Sequence, residues 1–87
     1  YGVQLSSKAE RFLKKCAKEI YKQLRTRIRE LQQEPFPSTV KRVQGLKGKT
    51  AFRVRSGDYR IQYVVYHKKQ EILVFKIDKR ERAYKKR

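Results

Sequence analysis

The chain has 87 residues, with 25 Lys and Arg against 8 Asp and Glu, for a formal net charge of +17. That length admits one domain, residues 1–87, with a small core, and so large an excess of cations directs it toward phosphate-rich surfaces or an acidic protein rather than a small acidic substrate. The absence of an apolar run of about 18 residues and of an N-terminal apolar signal core predicts a cytoplasmic protein with no membrane partner, and the single Cys16 excludes an internal disulfide.

The opening "YGVQLS" reads as a short strand with Val3 and Leu5 on one face. Ser7 stands three residues before Glu10, the spacing of a capping box, and predicts a helix start. Ala9, Phe12, Leu13 and Cys16, then Ile20, Leu24, Ile28 and Leu31, form an apolar stripe at helical spacing to about residue 33. A rod of roughly 25 residues would run almost 40 Å, too long for a domain whose expected radius of gyration is about 12 Å. The stripe therefore predicts a helical hairpin broken near Cys16 and Ala17, with Cys16 as a packed thiol. Pro35 and Pro37 end the second helix, and "EPFPSTVKRVQGLKGKT" reads as a connector pinned by Phe36 and Val43. Strands at about 50–55, 59–66 and 71–77 then form a meander, with "HKKQ" as the second turn; the last strand, "EILVFKI", is apolar on both faces and reads as interior to the sheet. The expected architecture is α+β, in the order β-α-α-β-β-β with a short C-terminal helix or tail, the helical hairpin packed on one face of a small, mostly antiparallel sheet.

Within "RVRSGDYRIQYVVY", Gly stands first in the dipeptide Gly57-Asp58, as a type II′ turn requires. A two-residue turn sets Val54 against Ile61 and Phe52 against Tyr63 on one face, and Arg55 against Arg60 and Arg53 against Gln62 on the other; a three-residue turn would mix charge into the apolar face. Directly opposed like charges weaken a strand pair by up to about 1 kcal/mol unless a counter-charge arrives. Two readings of the arginine face stay open: a solvated hairpin with splayed stems, or a surface for a polyanion.

The single His67 falls in a predicted turn, Cys16 lies on a helix stripe, and no carboxylates cluster at ligand spacing, so no metal or cofactor is expected. "GLKGKT" lacks the spacing of a phosphate loop. Arginine, lysine and tyrosine remain, and they suffice for cleaving RNA through its own 2′-hydroxyl, where positioning and electrostatic stabilisation carry much of the barrier. With the last turn's register placing Arg60 beside Ile77, Arg80 lies three residues on, and Tyr84 lies one helical turn beyond Arg80 if the tail "DKRERAYKKR" is helical. Arg53, Arg55, Arg60, Arg80 and Tyr84 can then converge on one patch.

"RVRSGDYRIQYVV" followed after a short turn by "ILVFKIDKRERAY" resembles the RelE/ParE superfamily of type II toxins: a basic strand, a Gly-containing turn, Tyr-Arg, an apolar strand, then Lys-Ile and a basic stretch ending in Tyr. The order of elements covers nearly the whole chain; the specific motifs occupy about residues 46 to 84. The resemblance to the RelE branch implies cleavage of messenger RNA in the ribosomal A site and neutralisation by an acidic, RelB-type antitoxin. It also implies that Arg60 binds the scissile phosphate, Arg80 stabilises the transition state, and Tyr84 orients or deprotonates the 2′-hydroxyl. Arg53 falls where well-known members carry the second of two strand lysines, the first falls on Ala51, and Lys49 is the expected stand-in. Lys47, Arg53, Arg55, Lys79, Arg82 and Lys85 are the expected RNA contacts. A ParE-like gyrase inhibitor and a non-catalytic RNA- or ribosome-binding protein are the rival readings.

Overall fold

Two extended residues interrupt the apolar stripe, Cys16 with ψ of 164° and Ala17 with ψ of 154°. The computed structural model describes residues 1–43 and 50–79. In chain order these form β1 (Gly2–Leu5), α1 (Ser7–Lys15), α2 (Lys18–Gln33), β2 (Lys41–Val43), β3 (Ala51–Ser56), β4 (Tyr59–Tyr66) and β5 (Glu71–Lys79). The strands make one sheet in the order β1-β5-β4-β3-β2, antiparallel except where β1 runs parallel to β5. β5 is interior, as its apolar faces predict. Both helices cover one face, where Ala9, Leu13, Leu24, Ile28 and Leu31 pack on Val54, Ile61, Tyr63, Ile72, Val74 and Ile77.

The start of α1 differs from expectation by one residue. Ser6, not Ser7, is the N-cap: its Oγ accepts the Ala9 N–H at 3.1 Å and donates to the Phe75 carbonyl at 3.1 Å. A tie to β5 selects Ser6, since one hydroxyl there joins the helix start to the sheet. Glu10 then sits in the first turn, where its charge complements the helix dipole.

The β3–β4 hairpin has the expected two-residue turn and register, with Phe52 opposite Tyr63, Val54 opposite Ile61 and Arg55 opposite Arg60. Gly57 has φ of +62° while Asp58 keeps a negative φ, the sign pattern of a II′ turn. Helix α2 adds a smaller demand: a Cβ on Gly57 would lie 2.7 Å from Gln23 Nε2, and moving that amide aside would cost the bond it donates to the Ser56 carbonyl at 2.7 Å.

Two expectations about the sheet need correction. The connector contains a strand, β2, whose Lys41, Arg42 and Val43 pair with Arg53, Phe52 and Ala51. Three residues are too few to display alternation, and their two cations suit an edge strand that must not recruit another. Phe36 does pin the connector, meeting Phe52 edge-to-face at 5.0 Å and stacking on His67 at 5.6 Å. The second correction is register. The β4–β5 pairing follows the turn from Tyr66–Glu71 to Tyr63–Val74, then shifts by one between Gln62 and Tyr63, so Arg60 faces Asp78 and Ile77 faces Ile61. Val74 and Ile77 are three residues apart, so a regular pleat would turn one of them out of the core. The bulge at Phe75 brings both inside, at 0% and 4% exposure.

Candidate nucleic-acid interface

Because Val54, Ile61 and Ile77 point at the helices, their alternate neighbours point away from them. Two cross-strand rows result. Arg55, Arg60 and Asp78 stand side by side across β3, β4 and β5, and one step along, Lys41, Arg53, Gln62 and Lys76 do the same from β2 to β5. Arg55 and Lys76 are exposed, while Arg53, Arg60 and Asp78 are half-buried. Among the described residues this face is a shallow basic floor.

The like-charge pair Arg55–Arg60 has its counter-charge. Arg60 donates from Nε to Asp78 Oδ1 at 3.3 Å and from Nη2 to Oδ2 at 3.0 Å, and Lys76 Nζ lies 3.9 Å from the same carboxylate. Side by side with this row, Arg27, Thr39, Lys41, Arg53, Val54 and Arg55 line a cleft of about 450 Å³ beyond the end of β2. Arg27 builds its wall, donating to the Arg55 carbonyl at 3.2 Å and to Thr39 Oγ1 at 3.2 Å while pairing with Glu30 at 2.9 Å.

The structure brings Arg53, Arg55 and Arg60 together as the sequence predicts. Lys79 is placed elsewhere. It pairs with Tyr59 and, with Phe12, Ile20, Tyr59 and Ile77, lines an apolar groove of about 480 Å³ on the helix side, because the pleat alternates it with Asp78. Lys47, Lys49, Arg80, Arg82, Tyr84 and Lys85 lie outside the described residues. Ala51, on the open-face row with Val43 and Val64, is fully buried. Sequence reasoning missed Lys41 with its strand, and Asp78 and Lys76 because no signal in the turn announces a bulge.

Other reactive side chains have structural duties. Cys16 is half-buried at the end of α1, its thiol donating to the Leu13 carbonyl at 3.4 Å, and His67 sits in the β4–β5 turn against Phe36. Tyr63 is fully buried and its hydroxyl donates to the Pro35 carbonyl. Burial pushes its phenol up to about 12, opposed by the Arg27 charge and reinforced by Glu34, so it is a neutral core group. Among the described residues no three His, Cys, Asp or Glu side chains could together hold a metal ion, and no helix is long and apolar enough to cross a membrane.

Comparison with known proteins places the chain in a family. The family model of the ParE toxin of the type II toxin-antitoxin system parDE matches residues 3–84. A Methanocaldococcus jannaschii protein named as a RelE1 toxin is 33% identical over 86 residues, spanning 98% of this chain and 96% of that one. The chain is similar to the archaeal RelE-RelB complex from Pyrococcus horikoshii, with TM-score 0.80 and 28% identity over 94% of this chain and 97% of that one. The isolated Escherichia coli RelE toxin shares the fold, with TM-score 0.75 and 24% identity over 98% of this chain and 92% of that one. With matches that run almost end to end, the chain belongs to the RelE/ParE superfamily and is a type II toxin of the RelE family.

Proposed function

We propose that this toxin is a ribosome-dependent endoribonuclease that cleaves messenger RNA in the A site by metal-independent attack of the RNA's own 2′-hydroxyl. The observation that carries the reading is Arg60, fixed on an open sheet face with Arg55 and Arg53 beside it. A guanidinium is a planar fork of donors matched to phosphate oxygens, and Arg60 takes the scissile phosphate while Arg53 and Arg55 take its neighbours along the strand. Attack by the 2′-oxygen forms the new O–P bond, the P–O bond to the 5′-oxygen breaks and that oxygen leaves with a proton supplied from water, and the extra negative charge on phosphorus is stabilised by cations already in place. Arg80, Tyr84 and Lys49 are assigned by their positions in the motif: Arg80 to the developing charge, Tyr84 or Lys49 to the 2′-hydroxyl proton. The net charge of +17 supplies long-range attraction to the ribosome and to an acidic, RelB-like antitoxin in the cytoplasm.

Purified protein on programmed ribosomes, assayed by single-turnover primer extension, tests this. The expected products end in a 2′,3′-cyclic phosphate and a 5′-hydroxyl within the A-site codon, and Arg60→Ala slows cleavage by roughly 10² to 10³, the cost of one preorganised stabiliser. Intact message in the presence of wild-type protein overturns the reading. The second reading draws on the matched ParE family description: inhibition of gyrase supercoiling with the message left intact would establish it instead.

A further inference from the structure

We propose that Asp78 is the positioning residue for Arg60, holding its guanidinium by one edge so that the other edge is presented to the scissile phosphate. The inference rests on the reading of Arg60 as the phosphate-binding residue. Asp78 engages Nε and Nη2, the side-on edge, at 3.3 and 3.0 Å. The Nη1–Nη2 edge is a separate pair of donors, able to take a second acceptor bidentately. Two acceptors sharing one trigonal nitrogen at hydrogen-bond distance sit about 5 Å apart, so a phosphate can dock beside the carboxylate without displacing it.

The need for such a holder follows from the register. Arg55 stands directly opposite Arg60 and Arg53 lies on the diagonal, so Arg60 is pushed by like charges on one flank. A free arginine also carries large rotamer entropy, which binding would have to overcome. Asp78 meets both demands from the opposite flank, and it reaches this row only because the bulge at Phe75 moves Ile77 into the core. With side chains 26% and 29% exposed, the pair is sheltered enough to hold its geometry yet open to a ligand. Lys76, 3.9 Å from Asp78, offsets the carboxylate's charge.

Positioning and masking predict opposite signs. If Asp78 merely neutralised Arg60, removing it would speed cleavage. If it positions Arg60, removal slows the chemical step while attraction to RNA holds or improves, because the face gains one net positive charge. Single-turnover cleavage with saturating protein on programmed ribosomes should show Asp78→Ala slower by about tenfold, within the range for a slightly misplaced catalytic group, at an unchanged or lower half-saturating concentration. Asp78→Glu and Asp78→Asn, each retaining an acceptor, should fall between Asp78→Ala and wild type. In an Arg60→Ala background Asp78→Ala should change the rate by less than about twofold, since residues acting as one unit are non-additive. A full tenfold loss in that background, or a rate equal to or above wild type for Asp78→Ala alone, overturns the proposal.

A readout independent of cleavage separates this inference from the nuclease reading. The Arg60 Nε–H should give a sharp, slowly exchanging signal in ¹H–¹⁵N spectra of the free toxin, retained in Arg55→Ala, exchanging faster in Asp78→Asn and lost in Asp78→Ala. Exchange as fast as that of a solvated arginine in the wild type refutes the positioning role whatever the enzyme does. A slow signal from a protein that leaves messages intact would keep the Asp78–Arg60 arrangement and reject the nuclease.

Discussion

On the helix side of the sheet, Val54, Ile61, Tyr63 and Ile77 are all at most 4% exposed, sealed by Leu24, Ile28 and Leu31. On the other side, the same three strands carry Arg53, Arg55, Arg60, Lys76 and Asp78, half-buried or exposed, with no helix over them among the described residues. The apolar face gains stability from close packing and tolerates no vacancy. The cationic face gains little from its mutual contacts, since exposed ion pairs contribute about 0 to 1 kcal/mol, and it costs something in self-repulsion. Stability is thus carried by one face and, in the proposed function, chemistry by the other, and substitutions should divide accordingly.

The largest expected effect breaks the packed face. Leu24→Ala empties a fully buried position in α2 and should cost about 2 to 5 kcal/mol, a large fraction of what a domain of this size possesses. Urea melts followed by circular dichroism measure it. A cost below about 1 kcal/mol would mean that α2 is not what seals the sheet.

Next comes the alkaline limit of the same face. The Tyr63 phenol is held up at about 12 in the fold, against about 10 in the unfolded chain. A group whose folded value is raised stabilises fully below its unfolded value and loses that contribution as pH climbs through the folded one. Wild type should therefore lose about 2 to 3 kcal/mol between pH 10 and pH 12 from this residue. Lysines titrate in the same window, so the comparison that isolates Tyr63 is with Tyr63→Phe. At pH 8 that variant should be less stable by about 1 kcal/mol, having left the Pro35 carbonyl without its donor. Toward pH 12 the two stability curves should cross, and parallel curves would place the tyrosine's titration outside the core.

How far the sequence discloses this division depends on which signal sets each element. The β3–β4 hairpin was legible because Gly57-Asp58 fixes a turn and the alternation around it admits one register. The helix break was legible only through length, since neither Cys16 nor Ala17 is a breaker; their extended backbone is imposed by docking α1 and α2 on one sheet. The β4–β5 register failed midway because a bulge has no local sequence mark. It is the answer to a packing conflict between Val74 and Ile77, visible only once both are known to be core. That failure hid Asp78, which explains how two arginines can stand opposite each other. Lys41 was hidden for a simpler reason, a strand too short to alternate.

The smallest expected effect sharpens the contrast from the cationic side. Arg55→Ala removes one of two facing cations, yet Arg60 is already paired with Asp78, so relief of repulsion should leave stability within about 0.5 kcal/mol of wild type. The tie from Arg27 survives, because it ends on the Arg55 backbone carbonyl rather than on its side chain. RNA binding should lose at most about one unit of salt slope. The decisive measurement is a cycle in denaturant melts: Asp78→Ala should cost about 1 kcal/mol when Arg55 is present and less than half of that when Arg55 is alanine, because the counter-charge matters most where the repulsion exists. Equal costs in the two backgrounds would show that Asp78 serves Arg60 alone, and that the facing arginines do not feel each other across the strands.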